Sequence, residues 1–385
     1  MLIAVLGAGA CGHRSLVVSP AVLASSRPEV LERVRATPYN YFRLANREWT
    51  ARVCEMFAAD GAGQPIVQLH GDAHVEQFAY MQDAWGLDDF DDAARGPAAV
   101  DIVRFLGSLD LAARQRGWSG DRSLLFDRFF DGYRKGVSDP HYLPPEPAVV
   151  GRHKAAVRPT SREAFLASAE AKMKPMTEVR MKATLASMDA FSQFVRIDRP
   201  DLPDGFFHVV RAGALELGIG SAATPKVLIR LEGPSDDPAD DVLLEAKAVR
   251  SRASGCLEQP ASMPTFRIVL GSRQVGRLKH ALLIPGPELT VAELSDQGQH
   301  LRDWWIRSWD PTYHEIDLDD LQSVGDLADV AYDAGVQLGA GAVAAGDEDL
   351  RRQLAASIER DEPQLRRGAA QLVAEVLRGW RDIGR

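Results

Sequence analysis

Apolar and polar positions divide the chain into helical ends around a β-rich middle. The opening run MLIAVLGAGACG reads as a strand. From Thr37-Pro38 onward, Tyr41, Leu44, Ala45, Val53, Phe57 and Ala58 recur at helical spacing, and Gly61 and Gly63 close that stretch. Residues 65–81, PIVQLHGDAHVEQFAYM, are β-like on both sides of a polar centre. GLDDFDDAARGP follows as an acidic turn with apolar flanks, ended by Gly96-Pro97. Val100 to about Lys135 is helical, through Ile102, Val103, Leu106, Leu109, Leu111, Leu124, Leu125, Phe129 and Phe130. Pro140, Pro144, Pro145 and Pro147 mark a loop. Thr160 to Phe194 is helical again, with capping-box spacing between Thr160 and Glu163 and a break at Pro175.

After Pro200 the texture changes. GFFHVVRAGALELGIGSAATPKVLIRLEG alternates and is punctuated by glycine, which predicts a β-hairpin. PSDDPADD is an acidic turn and VLLEAKAV a strand. TFRIVLG, HALLIPG and RDWWIRSW read as short strands or strand–helix mixtures. Ser323 to Arg385 is helical and amphipathic. A β-rich block of about 110 residues between helical parts predicts an α+β protein of two lobes rather than one doubly wound sheet. The expected divisions are 1–36 as an N-terminal strand or extension, 37–200 and 316–385 as helical parts, and 201–315 as the β-rich lobe.

Length agrees with this, because 385 residues suit two ordinary domains or one two-lobed unit. The net charge of −9 weighs against a general binder of nucleic-acid backbones. Cys11, Cys54 and Cys256 lie too far apart for a zinc knuckle and are too few for a disulfide scaffold. No apolar run reaches the roughly 18 residues of a membrane span, and the first residues lack the basic start of a signal peptide. The expectation is a soluble, cytoplasmic protein.

Candidate chemistry concentrates in His70-Gly71-Asp72-Ala73-His74-Val75-Glu76-Gln77 and in Asp88-Asp89-Phe90-Asp91-Asp92. A short hairpin between these polar segments would bring their carboxylates together. Clustered carboxylates repel unless a cation lies between them, and Mg²⁺ suits oxygen ligands. A merely solvated acidic loop is the alternative, and the apolar flanks weigh against it. His70, Asp72 and His74 alternate, so they also fit a metal-dependent hydrolase. Gly7, Gly9 and Gly12 match a dinucleotide fingerprint, but Val17-Val18 and Pro20 disfavour the helix it needs.

HGDAHVEQ resembles the catalytic loop H-G-D-x-H-x-x-N of aminoglycoside and choline phosphotransferases, and DDFDDAARGPAAVD resembles their metal-binding motif. The resemblance is closer to the bacterial domain-of-unknown-function family 2252. Its blocks SPFAFFRG, GDAHLxNFG, NDFDE and GPWEWDLKRL correspond in order to TPYNYFRL, GDAHVEQFA, DDFDDA and GPAAVDIVRF. This resemblance implies a kinase-like fold with Asp72 as catalytic base and with His74 and Arg43 in the catalytic set, the histidines serving mostly to hydrogen-bond the loop and Arg43 either reaching a phosphate or bridging acidic residues structurally. It implies Asp89, Asp91 and Gln77 as metal ligands and Asp101 as a brace beneath the catalytic loop. Gln77 departs from the family's asparagine by one methylene.

The same resemblance places a nucleotide lobe downstream. Gly218-Ile219-Gly220-Ser221 and Lys247 match the family's GVGSVGT and LQVKEA, with Ala223 in place of the third glycine. Glycine lets backbone N–H groups approach phosphates, and lysine supplies a point charge. The order implies a circularly permuted kinase that takes ATP or GTP with Mg²⁺ and phosphorylates a small hydroxylated molecule. No glutamate partner for Lys247 is obvious, with Glu245 and Glu258 as neighbours. RDWWIRSW resembles the family's RDFYVRQL, which puts Trp304, Trp305 or Trp309 either near the adenine or in the seam between lobes. A nucleotide-binding pseudokinase is the non-enzymatic alternative.

Overall fold

The computed structural model describes residues 15–25, 28–58, 64–198, 200, 208–216, 225–233, 235, 237–249, 255–258, 264–280, 284–295, 298–343 and 347–383. The expected opening strand and the Gly7–Gly12 fingerprint lie outside the described residues, as do Gly218, Gly220 and Ser221.

Residues 15–36 do not continue as strand. They carry two short helices, α1 (Pro20–Ser25) and α2 (Pro28–Ala36), and lie against the C-terminal helix. The Tyr41 hydroxyl donates to the Leu16 carbonyl at 2.7 Å, and the Leu16 amide donates to the Glu375 carbonyl at 3.0 Å. Next come α3 (Pro38–Leu44) and α4 (Asn46–Ala58). Thr37 caps α3, its hydroxyl accepting from the Asn40 amide at 3.1 Å, with Pro38 in the first turn.

The polar segments sit among four short strands, β1 (Ile66–Leu69), β2 (Phe78–Met81), β3 (Ala84–Leu87) and β4 (Ala94–Pro97). Strands β2 and β3 form the expected hairpin, and β1 pairs antiparallel with β4. The helices α5 (Ala99–Gln115), α6 (Arg122–Ser138) and α7 (Ala148–Ala156) follow, the last unannounced by the apolar pattern. Pro175 stands between α8 (Arg162–Ala171) and α9 (Glu178–Asp198). The cap of α8 is Ser161 rather than Thr160, since the Ser161 hydroxyl accepts from the Ala164 amide.

The β-rich block comprises β5 (Val209–Ala214), β6 (Lys226–Leu231), β7 (Val242–Ala248), α10 (Pro264–Gln274), β8 (Ile284–Ser295) and β9 (Gly298–Ser308). The strands make one antiparallel sheet in the order β5-β6-β7-β9-β8. TFRIVLG is helical, as part of α10, and not a strand. Its β-branched residues favour strand locally, but docking on the acidic turn decides otherwise. Arg267 donates to the Asp91 and Ala93 carbonyls, and a Cβ at Gly271 would lie 2.4 Å from the Ala93 Cβ. Only helical spacing puts Arg267, Ile268 and Gly271 on one such face.

Alternation along β6, β7 and β9 splits the sheet into two faces. Val227, Ile229, Leu244, Ala246, Trp304 and Ile306 form one apolar cluster with Met188 of α9. The opposite face carries Leu228 and Leu243, covered by Leu166, Ala169 and Met173 of α8 and its end, and then a row of charges. A last short strand, β10 (His314–Glu315), joins β2. The helices α11 (Val324–Val343) and α12 (Glu348–Ile383) complete the main core with α5 and α6. Contact between α6 and α11 runs through glycine: a Cβ at Gly132 would meet the Tyr332 carbonyl oxygen at 2.1 Å, and one at Gly335 the Phe129 oxygen at 2.3 Å.

Cys54 of α4 and Cys256 form a disulfide across 202 positions of sequence. Their separation hid this pairing, because only the fold brings α4 beside the segment after β7. Among the described residues, no helix is long and apolar enough to cross a membrane.

Candidate functional site

The His70–Gln77 segment is held from below. Asp101, in the first turn of α5, accepts from the His70 amide at 2.7 Å and the Gly71 amide at 2.8 Å. Gly71 has φ +84°, and a Cβ there would lie 1.8 Å from the Asp92 carbonyl oxygen. Glycine therefore permits both the turn and its contact with the acidic segment. The Asn46 side chain of α4 ties the segments together, donating to the Gly71 carbonyl at 3.1 Å and to Asp92 Oδ2 at 2.8 Å. Arg104, one turn along α5 from Asp101, donates through Nε and Nη2 to Asp72 Oδ1 at 3.0 and 2.7 Å. Its guanidinium lies 3.5 Å from the Phe42 ring centroid.

The two histidines serve the loop differently. His70 Nδ1 accepts from the Asp72 amide at 3.3 Å while Nε2 meets the Asp88 carbonyl at 2.8 Å. Both ring nitrogens are thus engaged with backbone, which leaves His70 unsuited to ligate a metal. His74 is buried, with Nε2 4.0 Å from Asp72 Oδ2. Burial, with Arg43 and Arg104 nearby, holds its pKa well below the ordinary histidine range, so it is neutral. Arg43 forms an ion pair with Glu76 at 2.6 Å.

The acidic turn is divided among different partners. Asp88 accepts from Arg307 Nη1 at 2.8 Å and faces His280 Nε2 at 3.0 Å. Burial would raise Asp88, but Arg307 and His280 outweigh it and hold the carboxyl far below the usual range. Asp89 has φ +62°, a left-handed conformation that costs a non-glycine residue energy and recurs at functional sites. Its carboxylate lies 2.9 Å from Lys247 Nζ, and that of Asp91 lies 3.3 Å away. Despite burial, Lys247 and Arg307 keep Asp89 ionised. Burial and the Asp89 charge push Asp91 up to about 6.

Lys247 stands on the charged face of the sheet, where the register sets Lys226 opposite Lys247 and Lys247 opposite Trp305. Two residues away, Glu245 faces Arg307 at 3.3 Å and accepts from Trp309 Nε1 at 3.0 Å. Burial alone would raise Glu245; Lys247 and Arg307 hold it at about 2. Burial and the Lys247 charge lower the pKa of Lys226. For Lys247 burial works downward, and Asp89 and Asp91 outweigh it and raise the pKa.

Asp89, Asp91, Lys226, Glu245, Lys247 and Arg307 line one cleft of about 520 Å³ between the sheet and the helical body. Of the sequence-predicted residues, Arg43, Asp72, His74, Gln77, Asp89, Asp91 and Lys247 all line it. Trp305 does not; it is buried beneath the lysine, with Lys247 Nζ 5.0 Å from its ring centroid. Trp309 reaches the cleft, and Trp304 packs in the apolar cluster on the far face. Glu258 pairs with Arg95, away from Lys247. The sequence reading missed Arg104, Asn46, Lys226 and Arg307. The alternation of VLLEAKAV and KVLIRL carries the signal for Lys226, since both lysines fall on the same phase of paired strands.

Gln77, Asp89 and Asp91 offer only oxygen donors of the kind a hard cation takes, and the buried Asp91 Oδ1 has no hydrogen-bond partner. Among the described residues no three His, Cys, Asp or Glu side chains are grouped to hold a metal by themselves. The donor set fits Mg²⁺, which commonly takes one or two carboxylates and completes its shell with phosphates and water.

Comparison with known proteins places this sequence. The family model for an uncharacterized protein conserved in bacteria, DUF2252, matches residues 27–210 and 152–383. The chain belongs to the DUF2252 family. The DUF2252 chain is also 34% identical over 79 residues to a protein named glucosamine kinase from Streptacidiphilus jiangxiensis. That match covers 18% of each chain. No solved structure matches significantly.

Proposed function

We propose that this DUF2252 member is a kinase-like phosphotransferase that uses Mg²⁺ with ATP or GTP to phosphorylate a hydroxyl of a small molecule. One observation carries the reading: Lys247 of the sheet reaches Asp89 and Asp91 across a cleft that also holds Asp72. These are the parts phosphoryl transfer needs, namely a phosphate lysine, metal-binding carboxylates and a base near the acceptor. They come from two walls of one cleft. The short match to a named glucosamine kinase points the same way. The lysine also stands third in the sheet counted from β5, where kinases carry it. The catalytic loop precedes this sheet in the chain, so the reading entails a permuted order.

In this reading, Gln77, Asp89 and Asp91 would hold Mg²⁺, which would supply neutralisation of the charge developing on the phosphates. Asp72 orients the acceptor hydroxyl and takes its proton, with Arg104 donating to Oδ1 to hold the carboxylate in place. Neutral His74 lies beside that carboxylate, its Nε2 4.0 Å from Oδ2. Lys247 exchanges Asp89 and Asp91 for phosphate oxygens. Kinases pair this lysine with a helix glutamate, whereas α10, PTFRIVLGSRQ, carries no acidic residue. Glu245, on the same strand as Lys247, is the nearest counterpart.

Incubation with Mg-ATP and a metabolite extract supplemented with glucosamine, read by mass spectrometry, tests the proposal. One compound gains the mass of a phosphoryl group with the wild type and not with Asp72→Asn. Absence of any such product, or equal product with the variant, overturns it.

A further inference from the structure

Lys226 has no role in the reading above, yet it is the residue most directly beside Lys247. Strands β6 and β7 are antiparallel, with Lys226 opposite Lys247 in the register. Directly opposed side chains share one face of the sheet, with Cβ atoms about 5 Å apart. Both side chains are buried, at 6% and 2% exposure, and Lys226 and Lys247 line the same cleft. Like charges opposed on paired strands destabilise a sheet, and burial adds the cost of desolvation. The surrounding carboxylates answer this, with Asp89 and Asp91 reaching Lys247, and Glu245, Asp89 and Asp91 attracting Lys226. An alternating apolar face would have been served by leucine at position 226, as it is by Leu228 two residues on. A buried pair of cations that open onto a cleft is instead a receptor for an anion whose charge is spread over neighbouring groups. Lysine suits this, being a compact charge with three donors and a flexible stem.

We infer that Lys226 and Lys247 together form a two-lysine subsite for consecutive phosphoryl groups, so that the cleft selects a nucleoside polyphosphate over a monophosphate. Lys226 is a binding residue in this scheme: it sets affinity for the polyphosphate chain and contributes nothing to recognition of the base. The inference rests on the phosphotransferase reading of the cleft and adds to it the residue that counts phosphates.

Calorimetry of the full chain with ATP, AMP, tripolyphosphate and adenosine tests it. Loss of one charge-assisted contact corresponds to about 10- to 100-fold in affinity. Lys226→Met is expected to weaken ATP and tripolyphosphate by that factor, to change AMP less, and to leave adenosine unchanged; Lys226→Arg keeps most of the polyphosphate affinity. Equal ATP affinity in wild type and Lys226→Met overturns the inference alone, as does an equal loss for adenosine. Failure of the wild type to bind ATP or tripolyphosphate overturns the phosphotransferase reading with it. Amine labelling of the wild type, read by peptide mass, needs no variant. Tripolyphosphate protects Lys226 if the inference holds, and labelling unchanged by tripolyphosphate overturns it.

Discussion

On one wall of the cleft, Asp72 receives its partners from the helices beneath it. On the other, Lys247 finds its partners across the gap. Asp101, Arg104 and Asn46 all belong to α4 and α5, and they brace the His70–Gln77 loop whether or not anything occupies the cleft. Lys247 instead satisfies its charge on Asp89 and Asp91, and Arg307 reaches Asp88 in the same way. The helical wall is therefore preorganised, as catalysis by positioning requires. The sheet wall is held by ion pairs that, in the proposed function, a bound polyphosphate and its metal would replace.

Variants on each wall should separate these two kinds of support. Asp72→Asn is expected to lower kcat by about 10²–10⁴-fold, the range for a lost general base, and to lower the unfolding midpoint as well, because buried Arg104 loses its charged partner. Lys247→Met leaves two partly exposed carboxylates without their cation, so the loss falls below the about 3–5 kcal/mol of breaking a fully buried pair. Urea unfolding measures this loss, and Lys247→Met/Asp89→Asn/Asp91→Asn should recover part of it. No recovery would show that the ion pairs do not hold the sheet wall.

Asp101→Ala removes the acceptor of two buried amides on the helical wall. Charge-assisted bonds of this kind contribute about 1.5–3 kcal/mol each. The variant should lose stability of that order and turn over more slowly at unchanged nucleotide affinity. An unchanged kcat would mean that the loop does not need its brace.

The smallest effect expected is pH-dependent. Glu245 has a folded-state pKa of about 2 against an ordinary value of 4.5. The unfolded chain takes up the proton first, so this contribution to stability is full above about pH 4.5 and fades as pH falls toward 2. Glu245→Gln should show a shallower fall in melting temperature over that window. Parallel profiles for the two proteins would remove Glu245 from the account.

Much of this cleft is legible in the chain. GDAHVEQ and DDFDD are short polar runs inside apolar flanks, so the short hairpin between them brings their carboxylates together at the ends of short strands. The β-block followed from alternation, and the break at Pro175 from a missing N–H. TFRIVLG misled because its β-branched residues carry strand preference, while helical docking on Ala93 and Asp91 is a long-range contact. Ser161 took the cap from Thr160 for an equally local reason that a spacing rule of one residue's precision does not resolve.

The sequence alone determined which chemistry the chain holds and in what order: an aspartate loop, a carboxylate turn and then a lysine strand. It could do so because local alternation and turn residues act within a few positions. Only the tertiary structure decided who pairs with whom. Lys247 meets Asp89 across 158 positions, Arg307 meets Asp88 across 219, and Cys54 meets Cys256 across 202. Such pairings depend on how the sheet packs against the helical body, and that packing is set by the summed burial of many apolar side chains rather than by any residue in the pair.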